Sequence, residues 1–340
     1  MRLGRLVDRR SLPDRIVAMD RAYSRGADVS HAPRCVAPEN PDAAAMSSCS
    51  GQPIWVATPF AAAVAGTVRH VTARNNDDPD AERVVAVNAL PHMGKTRSIE
   101  RVVLSETAAA WAARGRIVEG DIPRIPWIYA RTGATSGPRD FIHAIARGFG
   151  RQNPTGSIDS IIPWMAEVAE QSEVVGLAID EIHEVQGRYA PEITHIIRNL
   201  MAVLPVTIVL LGARLEDSAV FNATTRRGSI ASEQIEERTT WVHEREHTMS
   251  AESVQWQALM RKLASQVHLP DGLEAADTFL DAELSAVMHA RVGGRIGRAS
   301  KRINDAADVV AHRGGSFLSA LLQQLDIPDE PAGKEGDHDA

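Results

Sequence analysis

The stretch VVAVNALPHMGKTRSIERVV, residues 84–103, decides the fold. It begins with an apolar run typical of a buried strand and ends with apolar residues on one side of a helical pattern. Between the two, Gly94-Lys95-Thr96 completes the pattern G-x-x-x-x-G-K-[ST], with Ala89 in place of the first glycine. A strand, then such a loop, then a helix is the arrangement that holds the phosphates of a nucleotide.

The residues of this loop suit ATP and Mg²⁺. Its backbone N–H groups and the N-terminus of the following helix favour negative charge, and Ala89 and Gly94 belong to this phosphate cradle. Lys95 would reach the β- and γ-phosphates, and the Thr96 hydroxyl would bind Mg²⁺. Two residues weaken the pattern, because alanine adopts positive φ only at a cost and Pro91 has no N–H to donate. We expect ATP to bind nonetheless.

A pair of acidic residues follows a second apolar run. The run VVGLAID, 174–180, ends in Asp180, and Glu181 comes next. In P-loop enzymes an aspartate at such a strand end holds Mg²⁺, and a neighbouring glutamate can activate the attacking water. The sequence therefore predicts an ATPase in which Lys95 and Glu181 are catalytic and Thr96 and Asp180 bind the metal.

Short apolar runs alternate with helical patterns from residue 83 onward. The predicted strands are 83–89, 126–131, 174–180, 206–212 and, more weakly, 239–244. The predicted helices between them are 95–114, 138–150, 157–171, 190–203 and about 215–236. This alternation predicts an α/β fold with a parallel sheet flanked by helices. After residue 250 the strands stop, and 251–267, 274–290 and 294–325 predict an α-helical lid.

These patterns divide the chain into four regions. They are a partly helical N-terminal accessory region (1–80), an α/β nucleotide-binding core (81–248), a helical lid (249–326) and a disordered acidic tail (327–340). Within the first region, 11–26 and 59–74 are predicted helices.

Composition excludes several classes of protein. The net charge of −7 argues against coating of nucleic acid through bulk charge, although a local basic patch remains compatible with it. No apolar run reaches the roughly 18 residues of a membrane span. The two cysteines, Cys35 and Cys49, are too few for a disulfide scaffold. We expect a cytoplasmic protein with reduced thiols.

Motifs beyond the phosphate loop resemble the TniB/TnsC-type AAA+ ATPases of DNA transposons. They are Asp180-Glu181-Ile182-His183, Arg198-Asn199-Leu200, VTIVLLGA at 206–213, Gln234-Ile235-Glu236-Glu237-Arg238, and Gly293-Gly294-Arg295-Ile296-Gly297-Arg298. The resemblance covers residues 55–320, which is most of the chain. It implies an ATPase that binds ATP between neighbouring protomers, assembles as a ring or filament on double-stranded DNA, and recruits or licenses a transposase at the target.

The resemblance also implies roles for arginines. Arg238 would be the arginine finger that reaches a neighbour's γ-phosphate, with Arg226 and Arg227 as rivals. Arg295 or Arg298 would contact phosphate from the lid as the second sensor. A DNA-tracking surface would draw on other basic residues, for which the candidates are Arg97, Arg101 and Arg131.

One family feature is missing from the fourth predicted strand. The family has a hydroxyl or amide residue at the end of this strand, and this chain has Gly212-Ala213-Arg214 there. The first sensor is therefore absent or supplied by another residue, and hydrolysis is expected to be slow. We expect no DNA cutting or joining by the chain itself, because no triad of metal-binding carboxylates is recognisable.

Other interpretations remain open. His243-Glu244-Arg245-Glu246-His247 spells H-E-x-x-H, a zinc motif when it lies on a helix. The preceding residues 239–242 favour a strand, which would separate the two histidines by about 13 Å. Apart from transposition, the chain could be a signalling NTPase that oligomerises with ATP and never touches DNA, or a nucleotide-gated binding module with negligible turnover. Glu181 argues against the last of these.

Overall fold

The computed structural model describes residues 56–78, 83–132, 137–151, 154–185, 187–222, 226–265, 267 and 275–326. The predicted helix at 11–26 and the predicted acidic tail lie outside the described residues. The chain forms two compact units, of which the first contains Ala57–Thr248 and the second Met249–Ala340. Among the described residues, no helix is long and apolar enough to cross a membrane.

The first unit is built on a five-stranded sheet with the order β2-β3-β4-β1-β5. Its strands are β1 (Val84–Asn88), β2 (Trp127–Arg131), β3 (Gly176–Asp180), β4 (Thr207–Gly212) and β5 (Thr239–His243). Every neighbouring pair is parallel. All five carboxyl ends therefore lie at one edge, which is where parallel sheets place their ligands.

Helices cover both faces of this sheet. They are α1 (Pro59–Asp77), α2 (Lys95–Arg114), α3 (Pro138–Gly148), α4 (Ile158–Gln171), α5 (Ala190–Val203) and α6 (Arg226–Glu237). Because side chains alternate along a strand, Val85 and Val87 pack with α1 and α2, whereas Val84 and Ala86 belong to the core formed with α3 to α6. The predicted parallel sheet flanked by helices is confirmed, and each predicted strand lies within two residues of an observed one.

The predicted helix over about 215–236 is wrong in its first half. A short 3-10 turn, Leu215–Asp217, follows β4, and α6 begins only at Arg226. The reason is tertiary packing, since Val220 is fully buried in the core. Its carbonyl oxygen accepts hydrogen bonds from the hydroxyls of Thr194 (3.1 Å) and Ser232 (2.8 Å), which fix a non-helical course.

Helix α1 packs on the sheet of the core. Its residues Phe60, Val64, Val68 and Val71 are buried in the cluster that also contains β1. At its C-terminal end the Asn75 side chain amide donates hydrogen bonds to the carbonyl of Arg83 (2.9 Å) and the hydroxyl of Thr207 (3.0 Å). The sequence assigns this helix to the accessory region, whose boundary at residue 80 stays a prediction.

The second unit is helical where it is described. It consists of α7 (Val254–Ala264), a 3-10 segment (Ala275–Leu280), α8 (Ala282–Val292), α9 (Ile296–Arg313) and α10 (Phe317–Asp326). Trp256, Phe279 and Ile303 are fully buried in its core. The predicted helical stretch 294–325 is two helices, because Gly314 (φ 70°) and Gly315 (φ 100°) take the left-handed conformation that ends α9.

Candidate nucleotide-binding site

The loop after β1 lies at the carboxyl edge of the sheet. The N–H of Ala89 donates to the carbonyl of Gly212 on the neighbouring strand (3.2 Å). The N–H of Leu90 donates to Oε2 of the buried Glu244, which follows β5 (3.2 Å). Gly94 precedes α2, and its carbonyl accepts the N–H of Ser98 (2.8 Å), which closes the first helical turn. Contacts from β4 and from beyond β5 therefore hold the start of the loop.

The strain expected at Ala89 does not occur. Positive φ angles in the loop fall at His92 (66°) and Gly94 (90°), whereas Ala89 is not among the positive-φ residues. A Cβ atom added to Gly94 would meet no described atom within 4 Å. Glycine at position 94 is therefore required by its backbone angle, and the space above it is open to a ligand.

The phosphate loop and the acidic pair come together in space. Lys95 begins α2 and is buried, at 7% exposure. The hydroxyl of Thr96 donates to Oδ2 of Asp180 at 2.7 Å. The two residues predicted to share a metal ion are thus in direct contact, although they lie on different elements.

Tyr129 is a site residue that the sequence did not indicate. Its hydroxyl donates to the same Oδ2 of Asp180 at 2.7 Å, while Oδ1 accepts the N–H of Glu181 at 2.8 Å. Burial and the Asp180 carboxylate raise the pKa of Tyr129, so it stays a protonated donor at neutral pH. The contact of Tyr129 with Asp180 could be recognised only once the strand order was known. Strand β2 lies beside β3, and Tyr129 is in register with Ala178 of that strand.

Glu181 is held between two basic side chains. Its backbone is left-handed (φ 64°). Oε1 lies 3.3 Å from a guanidinium nitrogen of Arg131, and Oε2 lies 3.6 Å from Nδ1 of His183. Ligand atoms of Glu181, His183 and Glu184 also lie within 4.8 Å of one another. Arg131, predicted as a DNA contact, therefore lies beside the proposed catalytic carboxylate.

The other two predicted DNA contacts lie on α2. Arg97 pairs with Glu100 of the same helix at 2.8 Å, and Arg101 is half-buried. Their role as DNA contacts stays a prediction.

The carboxyl end of β4 has no room for a polar side chain. A Cβ atom on Gly212 would lie 2.4 Å from a methyl carbon of Leu215 and 3.1 Å from Nδ1 of His183. Asn88, at the end of β1, uses its Oδ1 to accept the N–H of Leu215 (3.1 Å). The imidazole of His183 is the polar group that occupies the space beside Gly212.

Arg238 lies at the edge of the sheet opposite the phosphate loop. Its carbonyl accepts the N–H of Val84 at 2.9 Å, at the start of β1. The loop leaves the other end of β1, about 13 Å away at 3.3 Å per residue. The backbone of Arg238 therefore lies at the opposite edge of the sheet from the loop of its own chain.

The remaining predicted arginines lie on two helices. Arg226 and Arg227 begin α6, and their side chains lie outside what the structure describes. Arg295 is the N-cap residue of α9 and Arg298 lies in its first turn, both in the second unit. Gly293 (φ 60°) and Gly294 (φ 67°) form the turn before them.

The H-E-x-x-H stretch does not form a helix that could hold zinc. His243 ends β5, and 244–247 form a 3-10 turn. His243 Nε2 lies 3.1 Å from Glu216, Glu244 binds the phosphate loop, and the His247 ring lies 6.5 Å from that of Phe60. The motif residues contact three different elements.

Comparison with known proteins relates part of the chain to AAA domains. Residues 78–217 match the family model described as AAA domain. No curated protein matches the chain. Among solved structures, the chain is similar to PCH-2 of C. elegans, with 12% identity over 78% of this chain and 66% of that one and a TM-score of 0.45. It is also similar to Drosophila ORC bound to DNA, with 12% identity over 91% of this chain and 73% of that one and a TM-score of 0.48.

The chain thus spans 66% of the length of PCH-2. Its phosphate loop follows β1, its acidic pair follows β3, and both lie at the carboxyl edge of a parallel sheet. With the AAA domain match, these features give the chain the fold of an AAA+ P-loop NTPase, with a helical C-terminal region after the sheet.

Proposed function

We propose that this chain is a cytoplasmic AAA+ ATPase that assembles on double-stranded DNA, selects target DNA and recruits the transposase in DNA transposition. The observation that carries the ATPase part is the hydrogen bond between Thr96 and Asp180, with Glu181 next to it. The transposition part rests on the motifs that resemble TniB/TnsC-type proteins.

The residues of the site fit ATP and Mg²⁺. Asp180 is fully buried, which is costly for a carboxylate unless it is paired or binds a cation. A hydroxyl and a carboxylate oxygen at 2.7 Å are the oxygen donors that Mg²⁺ prefers. Thr96 and Asp180 would hold the ion, and it would neutralise charge on the phosphates. Lys95, Gly94 and Ala89 would bind the phosphates.

Glu181 is the group that would activate water. Its carboxylate lies next to the metal-binding aspartate and is held by Arg131 and His183. Because Gly212 supplies no polar group to the γ-phosphate, we expect slow turnover.

The position of Arg238 favours assembly. A finger at one edge of the sheet and a phosphate loop at the other can meet only if two copies associate head to tail. Such heterologous contacts generate rings or helical filaments. Arg295 and Arg298 would contact phosphate from the helical unit.

The test is binding of fluorescent duplex DNA in four states: with ATP, with a slowly hydrolysed ATP analogue, with ADP and without nucleotide. We expect binding and large assemblies only with a triphosphate, and neither in Lys95→Ala. Arg261→Gln, on the exposed side of α7, serves as the control substitution.

A second candidate is a signalling NTPase that oligomerises with ATP without touching DNA. The net charge of −7 favours it. ATP-driven assemblies that bind no duplex in any state would replace the transposition proposal with this one.

A further inference from the structure

The exposed side of α3 carries a row of arginines. Arg139 and Arg147 are exposed and lie eight residues apart, with the half-buried His143 midway between them. Arg151 follows three residues after the helix ends. The opposite side of α3 is buried in the core through Phe141, Ile142, Ala144, Ile145 and Ala146. We call Arg139, Arg147 and Arg151 the arginine stripe.

The charge of the arginine stripe is poorly compensated. Two arginines on other helices of this unit have carboxylate partners, namely Arg69 with Glu106 (2.6 Å) and Arg97 with Glu100 (2.8 Å). Within the described part of the chain, neither Arg139 nor Arg147 forms an ion pair. Asp140 is the only acidic residue of α3.

The electrostatic effect of these arginines is visible at His143. Burial lowers the pKa of His143, and the charges of Arg139, Arg147 and Arg151 lower it further, against the opposing charge of Asp140. Cations that oppose protonation of their neighbour create a locally positive potential. The stripe therefore provides a positive surface at neutral pH, while His143 stays uncharged.

The geometry of the stripe suits a row of separate anions. At a rise of 1.5 Å per residue, Arg139 and Arg147 lie about 12 Å apart along the helix axis, a spacing that suits two separate phosphates. Arg151 is fixed in place, because it donates to the carbonyl of Thr155 at 2.9 Å and lies 5.3 Å from the centre of the Trp164 ring. Phosphates along one DNA strand are spaced about 3.4 Å along the duplex axis, so a single strand offers several partners.

We propose that the arginine stripe of α3 binds the phosphate backbone of duplex DNA. This inference rests on the proposed function and assigns its DNA contact to a surface that the sequence had not indicated. The exposed side of α3 has no large apolar side chain, whereas protein partners usually require apolar or aromatic anchors. Contacts of guanidinium with phosphate position the protein without reading bases.

The experiment measures the salt dependence of duplex binding in the presence of ATP. Each phosphate contact contributes about −0.9 to the slope of log K against log salt. The variant Arg139→Gln/Arg147→Gln is expected to reduce the slope by about 1.8 on sequences of different composition. Between 50 and 200 mM salt, wild type should then lose about 12-fold more affinity than the variant.

Two further variants make the result specific. Arg139→Lys/Arg147→Lys keeps the charge and should keep the wild-type slope. Arg261→Gln/Lys262→Gln removes two exposed charges from α7 and should leave the slope unchanged. ATP affinity and thermal unfolding, measured on every variant, show that the fold and the nucleotide site persist.

Three outcomes overturn the inference. If wild type binds DNA and the double glutamine variant has an unchanged slope, the arginine stripe is not the DNA contact, although the proposed function still stands. If the α7 variant shows an equal reduction of the slope, then bulk charge, rather than the arginine stripe, accounts for the salt dependence of DNA binding. If wild type binds no duplex DNA in any nucleotide state, both the role of the arginine stripe and the DNA part of the proposed function are contradicted.

Discussion

The carboxylate of Asp180 accepts hydrogen bonds from three residues. Two hydroxyls, of Thr96 and Tyr129, share Oδ2, and the Glu181 N–H takes Oδ1. A Mg²⁺ ion bound to Thr96 would draw this hydroxyl away, and Tyr129 would then remain as the donor that orients Asp180. Tyr129 is therefore a positioning residue in our interpretation.

Tyr129→Phe is expected to weaken the response to Mg²⁺. A hydrogen bond to a charged group contributes about 1.5–3 kcal/mol, and the lower value corresponds to a roughly tenfold rise in the Mg²⁺ concentration for half-maximal ATPase. Affinity for ATP without Mg²⁺ should stay unchanged. Tyr189→Phe, which removes a hydroxyl that makes no hydrogen bond to Asp180, is the control. An unchanged Mg²⁺ titration would contradict the positioning role.

Glu181→Gln should trap ATP. The amide keeps the size of the side chain but cannot accept the proton of the attacking water, so turnover should fall at least about 100-fold while ATP binding persists. Single-turnover hydrolysis and retention of labelled ATP measure the two effects. Glu184→Gln, in the adjacent turn, is the matched control, and undiminished turnover in Glu181→Gln would remove Glu181 from the mechanism.

At the scale of elements, an ion pair joins the segment before β2 to the segment before β3. Arg124 is buried and donates to both carboxylate oxygens of Glu173 (2.8 and 3.2 Å). It also donates to backbone carbonyls of Arg114, Gly115 and Ile117. The hydrogen bond from Arg124, followed by the charge of Arg114, lowers the pKa of Glu173.

This pair predicts a particular pH dependence of stability. A carboxylate whose pKa is lower in the folded chain stabilises it above its unfolded pKa, near 4.3, and loses that contribution as pH falls through the folded value. The melting temperatures of wild type and Glu173→Gln should therefore differ most at pH 7 and converge below about pH 4. Glu119→Gln, at an exposed position, should show no such trend. A difference in melting temperature between wild type and Glu173→Gln that stays constant down to acidic pH would contradict the stabilising role of the Glu173 carboxylate.

The missing polar group at the end of β4 cannot simply be restored. A serine at Gly212 would place its Cβ 2.4 Å from Leu215 and 3.1 Å from His183. Overpacking of this kind costs about 1–3 kcal/mol. Gly212→Ser should therefore lower the melting temperature without raising ATPase activity. Faster hydrolysis at unchanged stability would show that the site lacks only a hydroxyl.

Sequence patterns predicted those parts of the fold that depend on local order. The strands and the phosphate loop follow from apolar runs and from Gly94-Lys95-Thr96, and α2 and α5 have the predicted bounds. Contacts that depend on the order of the strands could not be predicted. One example is the contact between Tyr129 on β2 and Asp180 on β3. The helix predicted over about 215–236 failed because burial of Val220 outweighed the local helical pattern.

At the scale of the whole molecule, the two edges of the sheet have different roles. The carboxyl edge carries the phosphate loop and the acidic pair, while Arg238 lies at the amino edge. In our proposal, the finger of one chain, Arg238, serves the ATP site of another chain. Under this proposal, a second copy assembled head to tail would complete the ATP site.

Mixing of two inactive variants tests this arrangement. Arg238→Ala retains a complete phosphate loop but offers no finger, and Lys95→Ala offers a finger but cannot hold ATP productively. If the finger acts between chains, each variant alone should be nearly inactive, while a mixture should regain part of the wild-type ATPase rate at interfaces that combine both intact halves. Arg227→Ala, mixed in the same way, tests the rival finger. A mixture no more active than its components, at concentrations where wild type assembles, would mean that Arg238 does not act across the interface.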